Sequence, residues 1–172
     1  MDNIKELLPV VDENGIIVGS TTRGEAHGGS QVLHPVVHLH VFNSKGELYL
    51  QKRPEWKDVQ PGKWDTATGG HVDLGENVDV ALKREVREEL GITDFIPEAV
   101  THYVFESAVE KELVYVFKTV YDGVITPNQD ELNGGRFWTE DEIQANIGKD
   151  VFTPNFENEY LTVLKPTLTK QS

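Results

Sequence analysis

The stretch from Gly70 to Ile92 constrains this 172-residue chain more than any other part of it. It opens Gly70-His71-Val72-Asp73-Leu74-Gly75-Glu76 and continues through Ala81-Leu82-Lys83-Arg84-Glu85-Val86-Arg87-Glu88-Glu89-Leu90 to Gly91-Ile92. Helical periodicity runs from Val78 to Leu90, and Gly91 stops it by taking the left-handed backbone that closes helices. At about 100° per residue, Glu85, Glu88 and Glu89 share one face, beside an apolar stripe of Leu82, Val86 and Leu90. Like charges one turn apart, such as Glu85 and Glu89, mildly destabilise an isolated helix, so stability alone does not select them. Hard divalent cations do, because Mg²⁺ takes oxygen ligands and is held by a few carboxylates plus phosphate oxygens. Arg84 and Arg87 are placed to pair with neighbouring carboxylates and hold them, and Glu76, ahead of the helix, can reach back to Arg84. Glutamates on a helix, considered alone, are more often an ordinary solvated face.

Around this helix the pattern is that of one mixed α/β domain spanning residues 1–172. Leu7 to Asp12 and Ile16 to Thr21 read as strands around Asn14-Gly15, a hairpin signal. Val36 to Phe42 and Glu47 to Gln51 make a second pair. A loop, Pro54 to Gly62, then leads to Trp64 and the glycine pair Gly69-Gly70. Further strands are expected near Val100 to Glu106 and Glu112 to Tyr121. Thr139-Glu140-Asp141-Glu142 is a capping-box pattern that opens a helix toward Ile147. Thr153-Pro154 caps a last helix that includes Tyr160, Leu161 and Leu164. Trp56 and Trp64 flank the loop before the glycines, where an indole can stack on a ligand or pack in the core, and neither is assigned.

Composition removes several classes of function. The chain has no cysteine, which excludes disulfides, thiolate metal sites and thiol nucleophiles. Its formal net charge of -13 opposes binding to a nucleic-acid backbone. No apolar run reaches the roughly 18 residues needed to cross a bilayer, and the first residues lack the pattern of a signal peptide. A cytoplasmic location is therefore expected, with a small molecule rather than a membrane or a nucleic-acid polymer as partner.

Gly70, five residues, Glu76, seven residues, then Arg84-Glu85-Val86-Arg87-Glu88-Glu89-Leu90-Gly91-Ile92 matches the signature of the Nudix hydrolases at each defining position. The chain is therefore identified as a member of that family. The resemblance implies an α/β/α sandwich with a mixed sheet, in which the signature forms a loop-helix-loop holding one to three divalent ions, usually Mg²⁺ or Mn²⁺. It implies that Glu85, Glu88 and Glu89 are metal ligands, with the carbonyl of Gly69 or Gly70 as another and Arg84 supporting them. Water would attack phosphorus while the ions neutralise charge on the diphosphate oxygens. The general base varies among members, and Glu131, ahead of Trp138, is a candidate. Such enzymes are commonly dimers, so the resemblance leaves room for a homodimer.

From about Leu8 to Trp138 the sequence is similar to the branch that includes isopentenyl-diphosphate isomerase. In that enzyme two histidines seven residues apart, a histidine beside the signature glycine and a Glu-x-Glu pair enclose one metal. The corresponding residues here are His27, His34, His71, Glu110 and Glu112. Imidazole with carboxylate suits Mn²⁺ or Zn²⁺ better than Mg²⁺. Arg23, Arg53 and Lys57 correspond to basic residues that grip the diphosphate. The isomerase carries its catalytic cysteine just before the signature glycine, a position occupied here by Gly69. It also has a degraded signature, whereas this one is complete. Both differences point away from isomerisation. His38 and His40 alternate on a strand and read as structural or surface residues.

The expectation is thus a metal-dependent hydrolase cleaving a phosphoanhydride bond in a nucleoside-diphosphate-linked or similar small substrate. The alternatives are a prenyl-diphosphate isomerase-like enzyme and a non-catalytic sensor of a nucleotide-type ligand.

Overall fold

A computed structural model describes residues 6–26, 28–56, 60–128 and 134–166. By contact density the chain falls into two compact units. The first comprises Met1–His38, Gly69–Glu85 and Ala99–Phe117, and the second Leu39–Thr68, Val86–Glu98 and Lys118–Ser172.

The first unit begins with a hairpin, β1 (Leu7–Val11) paired antiparallel to β2 (Ile17–Thr22). Its turn is built by Asp12, whose Oδ1 accepts from the Asn14 and Ile16 amides at 2.9 and 3.0 Å. Gly15 supplies the positive φ of 82° that this turn requires. After a short helix, α1 (Arg23–Ala26), comes β3 (Leu33–Phe42), which is buried at every position except His38. Near-continuous burial explains why the strand begins at Leu33 rather than Val36. Leu33, His34 and Pro35 are all buried, so alternation does not mark its start.

In the second unit the end of β3 pairs antiparallel with β4 (Leu48–Lys52), with Val41 opposite Tyr49. β4 lies between β5 (Trp64–Thr66) and β9 (Gly135–Trp138), antiparallel to both. Strand order in the mixed sheet is β5-β4-β3-β8-β7, with β6 (Thr68–His71) also on β3 and β9 also on β4; β7 spans Glu98–Glu106 and β8 Lys111–Val120. The short strands β5, β6 and β9 have too few residues to show a period in sequence, and pairing alone defines them.

Helix α2 occupies Val78–Leu90, as its periodicity predicts. Asn77 Oδ1 accepts from the Val80 amide at 2.8 Å and starts it. Gly91, at φ 68°, ends it by donating to Arg87 O. Leu82, Val86 and Leu90 are fully buried, so the predicted stripe is the packed face. Helix α3 (Glu140–Asn146) carries the expected capping box, with both Thr139–Glu142 hydrogen bonds formed.

One element departs from expectation. Thr153 and Pro154 do open α4, but α4 ends at Glu159 and the chain widens into a π-helical segment, Tyr160–Leu164. The change falls at a buried residue pinned from β3, since Glu159 Oε2 lies 2.5 Å from His40 Nε2. Phe156, Tyr160 and Leu164 fill the second unit's core with Phe42, Leu48, Leu50, Trp138, Ile143 and Phe152, and Trp64 packs partly against it.

Candidate active site

Arg84 organises the first centre. Its Nε and one terminal nitrogen donate to Glu76 at 2.8 and 2.9 Å, a two-pronged grip on one carboxylate. The other terminal nitrogen donates to Glu85 Oε1 at 2.7 Å, and Arg84 also reaches His71 O at 3.1 Å and Asp73 Oδ2 at 3.3 Å. The loop is closed from within, because the Asp73 amide donates to Glu76 Oε1 at 2.9 Å. Hydrogen bonding to Arg84 holds the Glu76 carboxyl below its ordinary range, and the same bond raises Arg84. Burial and a hydrogen bond with Glu6 push Asp73 up to about 7. Arg87, by contrast, is exposed on the helix.

Gly70 leaves room for Glu85. A Cβ at Gly70 would lie 2.5 and 2.6 Å from the two Glu85 carboxylate oxygens, so only glycine lets that carboxylate lie against β6. This cradle, with the guanidinium beside it, fits a hard divalent ion better than it fits a merely solvated helix. One turn further along α2, Thr68 donates its hydroxyl to Glu89 Oε2. Glu88 is exposed on the same helix face.

The second centre gathers His34, His71 and Glu112, each offering one ligand atom, all within 4.8 Å of one another. Among the described residues this is the group of three or more such side chains close enough to share an ion. His34 is fully buried and its Nδ1 faces Val32 O at 3.3 Å. That contact favours the tautomer with hydrogen on Nδ1, which points the Nε2 lone pair toward Glu112 Oε2, 3.7 Å away. Burial pushes Glu112 up to about 7. A neutral imidazole and a desolvated carboxylate suit Mn²⁺ or Zn²⁺, so the donor set fits the softer ions expected from sequence.

The remaining predicted residues are distributed as follows. Glu110 is half-buried at the turn before β8, where burial pushes its carboxyl up, and it is not one of the three residues whose ligand atoms lie within 4.8 Å. Arg23 is engaged by Glu6 at 3.3 Å. Arg53 lies 3.8 Å from Asp65. Gly69 is exposed on β6. His27, Lys57 and Glu131 lie outside the described residues. Sequence reasoning missed Thr68 and Asp73, two polar residues whose partners follow from loop closure and not from any spacing. His40 is fully buried, in keeping with a structural residue, whereas His38 is partly buried.

Several known proteins resemble this chain. A family model, the NUDIX domain, matches residues 32–156. The chain is 34% identical over 163 residues to an uncharacterized Nudix hydrolase of Listeria monocytogenes, covering 93% of this chain and 95% of that one. It is 30% identical over 168 residues to isopentenyl-diphosphate Delta-isomerase 1 of Photorhabdus laumondii, covering 93% and 96%. The crystal structure of DR0079 from Deinococcus radiodurans superposes with a TM-score of 0.75 at 24% identity, covering 89% and 96%.

Proposed function

The chain belongs to the Nudix hydrolase family, and from that premise we propose that it hydrolyses the phosphoanhydride bond of a small diphosphate-linked substrate, such as a nucleoside diphosphate derivative. The Arg84 clamp carries the proposal. It grips Glu76 and fixes Glu85 beside the Gly70 cradle, as a cation-binding face requires.

In this reading Glu85, Glu88 and Glu89 hold one to three Mg²⁺ or Mn²⁺ ions, and Arg84 keeps Glu85 aimed. The bound ions supply charge neutralisation on the diphosphate oxygens and lower the pKa of a bound water. Arg23, Arg53 and Lys57 grip the diphosphate, with Arg23 exchanging Glu6 for a phosphate oxygen. Water oxygen bonds to one phosphorus, the bridging P–O bond breaks, and the proton of the water passes to solvent as the two phosphate products separate. His34, His71 and Glu112 hold a separate Mn²⁺ or Zn²⁺.

The test is a substrate panel of nucleoside triphosphates, nucleotide sugars, dinucleotides, coenzyme A derivatives and prenyl diphosphates, with Mg²⁺ or Mn²⁺ and products resolved by mass. Cleavage of one class is expected, with a loss of about a thousandfold in folded Glu89→Gln. Equal turnover by that variant removes the assignment. Isomerase relatives make isopentenyl diphosphate an informative member of the panel. With glycine at position 69 and no cysteine in the chain, no conversion to dimethylallyl diphosphate is expected. Ligand binding without cleavage would instead support a sensor.

A further inference from the structure

The β1–β2 hairpin has one closed edge and one open edge. Arg23 N donates to Glu6 O at 2.8 Å, and the register continues Leu7↔Thr22, Leu8↔Thr21, Pro9↔Ser20. Opposed pairs in an antiparallel ladder alternate between bonded and unbonded. Leu7 and Pro9 therefore turn their main-chain groups away from β2, and Ser20 and Thr22 turn theirs away from β1. The β1 edge is closed, because Leu7 O accepts from Leu74 N at 3.2 Å and Pro9 has no N–H to offer. The β2 edge is not. Among the described residues β2 pairs with β1 alone, and Ile17, Val18, Gly19 and Ser20 are all exposed.

Exposed edges are ordinarily blunted by lysine, proline or another charge. The stretch Ile17-Val18-Gly19-Ser20-Thr21-Thr22 contains none of these. Its one irregularity, a register shift that leaves Val18 unpaired, lies near its start and keeps Gly19 to Thr22 regular. The chain as a whole has a formal charge of -13, so two copies repel over most of their surface and an uncharged strand is where they can meet. We propose that β2 is a self-association edge, at which two copies of this chain pair antiparallel about a two-fold axis at Ser20. The outward N–H and C=O of Ser20 then bond to those of Ser20 in the second copy. The same register brings Val18 of the second copy beside Thr22 and, across it, Leu7. Leu7 is 50% and Val18 65% exposed in the single chain. The two-fold forms this contact twice, covering apolar surface that one hairpin leaves bare.

This edge is independent of the hydrolase reading. Sedimentation equilibrium over about 1 to 500 µM is run on the full chain as wild type, Val18→Lys, Ser20→Pro and Val124→Lys, with thermal melting of each at the lowest concentration. Wild type is expected to double in mass with a Kd of about 1 to 100 µM, as suits a small interface. Val18→Lys places a charge on the paired edge, and Ser20→Pro removes an outward N–H while sparing the bonds to β1. Each is expected to raise Kd at least about tenfold, with the melting midpoint of the single chain unchanged. Val124 is 80% exposed in the second unit, and Val124→Lys is expected to leave Kd as it was. Added salt is expected to tighten the wild-type pair by screening the repulsion between two acidic chains. A wild type that stays monomeric throughout overturns the proposal. So does a dimer that Val18→Lys leaves intact, that Val124→Lys weakens equally, or that salt loosens as it would an ion-paired interface. Should Ser20→Pro melt early, Val18→Lys decides alone.

Discussion

Two candidate metal centres flank β6, and they are assembled from opposite materials. On the Gly70 side, Glu85 sits in a charge network in which Arg84 grips Glu76 and approaches Asp73. On the Gly69 side, a fully buried His34 meets His71 and Glu112, with no arginine among the three. In the first centre the guanidinium grips Glu76 and holds its carboxyl below the ordinary range. In the second, burial favours the neutral form of Glu112. Donor chemistry thus sorts the ions: carboxylate oxygens alone favour Mg²⁺, whereas imidazole with carboxylate favours Mn²⁺ or Zn²⁺.

Gly70→Ala is the strongest way to break that comparison. Its Cβ would fall on the Glu85 carboxylate. A displacement of about 1 Å at such a centre is expected to cost at least about a hundredfold in turnover, read by steady-state kinetics on the substrate the panel identifies. A variant that keeps wild-type turnover would show that Glu85 need not lie against β6.

His34→Ala addresses the other side. Mn²⁺ or Zn²⁺ affinity at the histidine centre is expected to fall about a hundredfold, while the Mg²⁺ affinity of the helix carboxylates moves less than about threefold. Parallel losses for both kinds of ion, followed by calorimetry, would mean that the centres are one.

Arg84→Lys sharpens the contrast in degree. A lysine supplies one point charge in place of the forked grip on Glu76 and Glu85, so Mg²⁺ affinity is expected to drop about thirtyfold. Histidine-centre affinity should hold, and an equal drop there would make Arg84 a general scaffold residue. The smallest effect is expected from Gly69→Ala. Its Cβ would stand 3.1 Å from His38 Cδ2, so the ring need shift only by tenths of an ångström. Diphosphate binding is expected to weaken about threefold. A loss as large as that of Gly70→Ala would erase the distinction between the two faces.

Much of the first centre was legible from residue order. Helix α2, its packed stripe, its glycine stop and the Glu76–Arg84 pairing all depend on residues within a few turns of one another, and helical periodicity exposes such relations directly. The α3 capping box was readable for the same reason. Where sequence reading fell short, separation was the cause. Thr68 meets Glu89 at a distance of 21 residues, and His40 meets Glu159 across 119. β5, β6 and β9 exist only through their partners.

By itself the sequence determined the acidic helix, the boundaries of its loop and the family these imply, since those are written in short windows of spacing and capping. Only the tertiary structure decided that His34, His71 and Glu112 converge and that Gly69 lies against His38. Those outcomes depend on how β3, β6 and β8 register against one another. A shift of one residue sends every side chain to the opposite face, and no local pattern in a strand buried on both faces specifies which register forms.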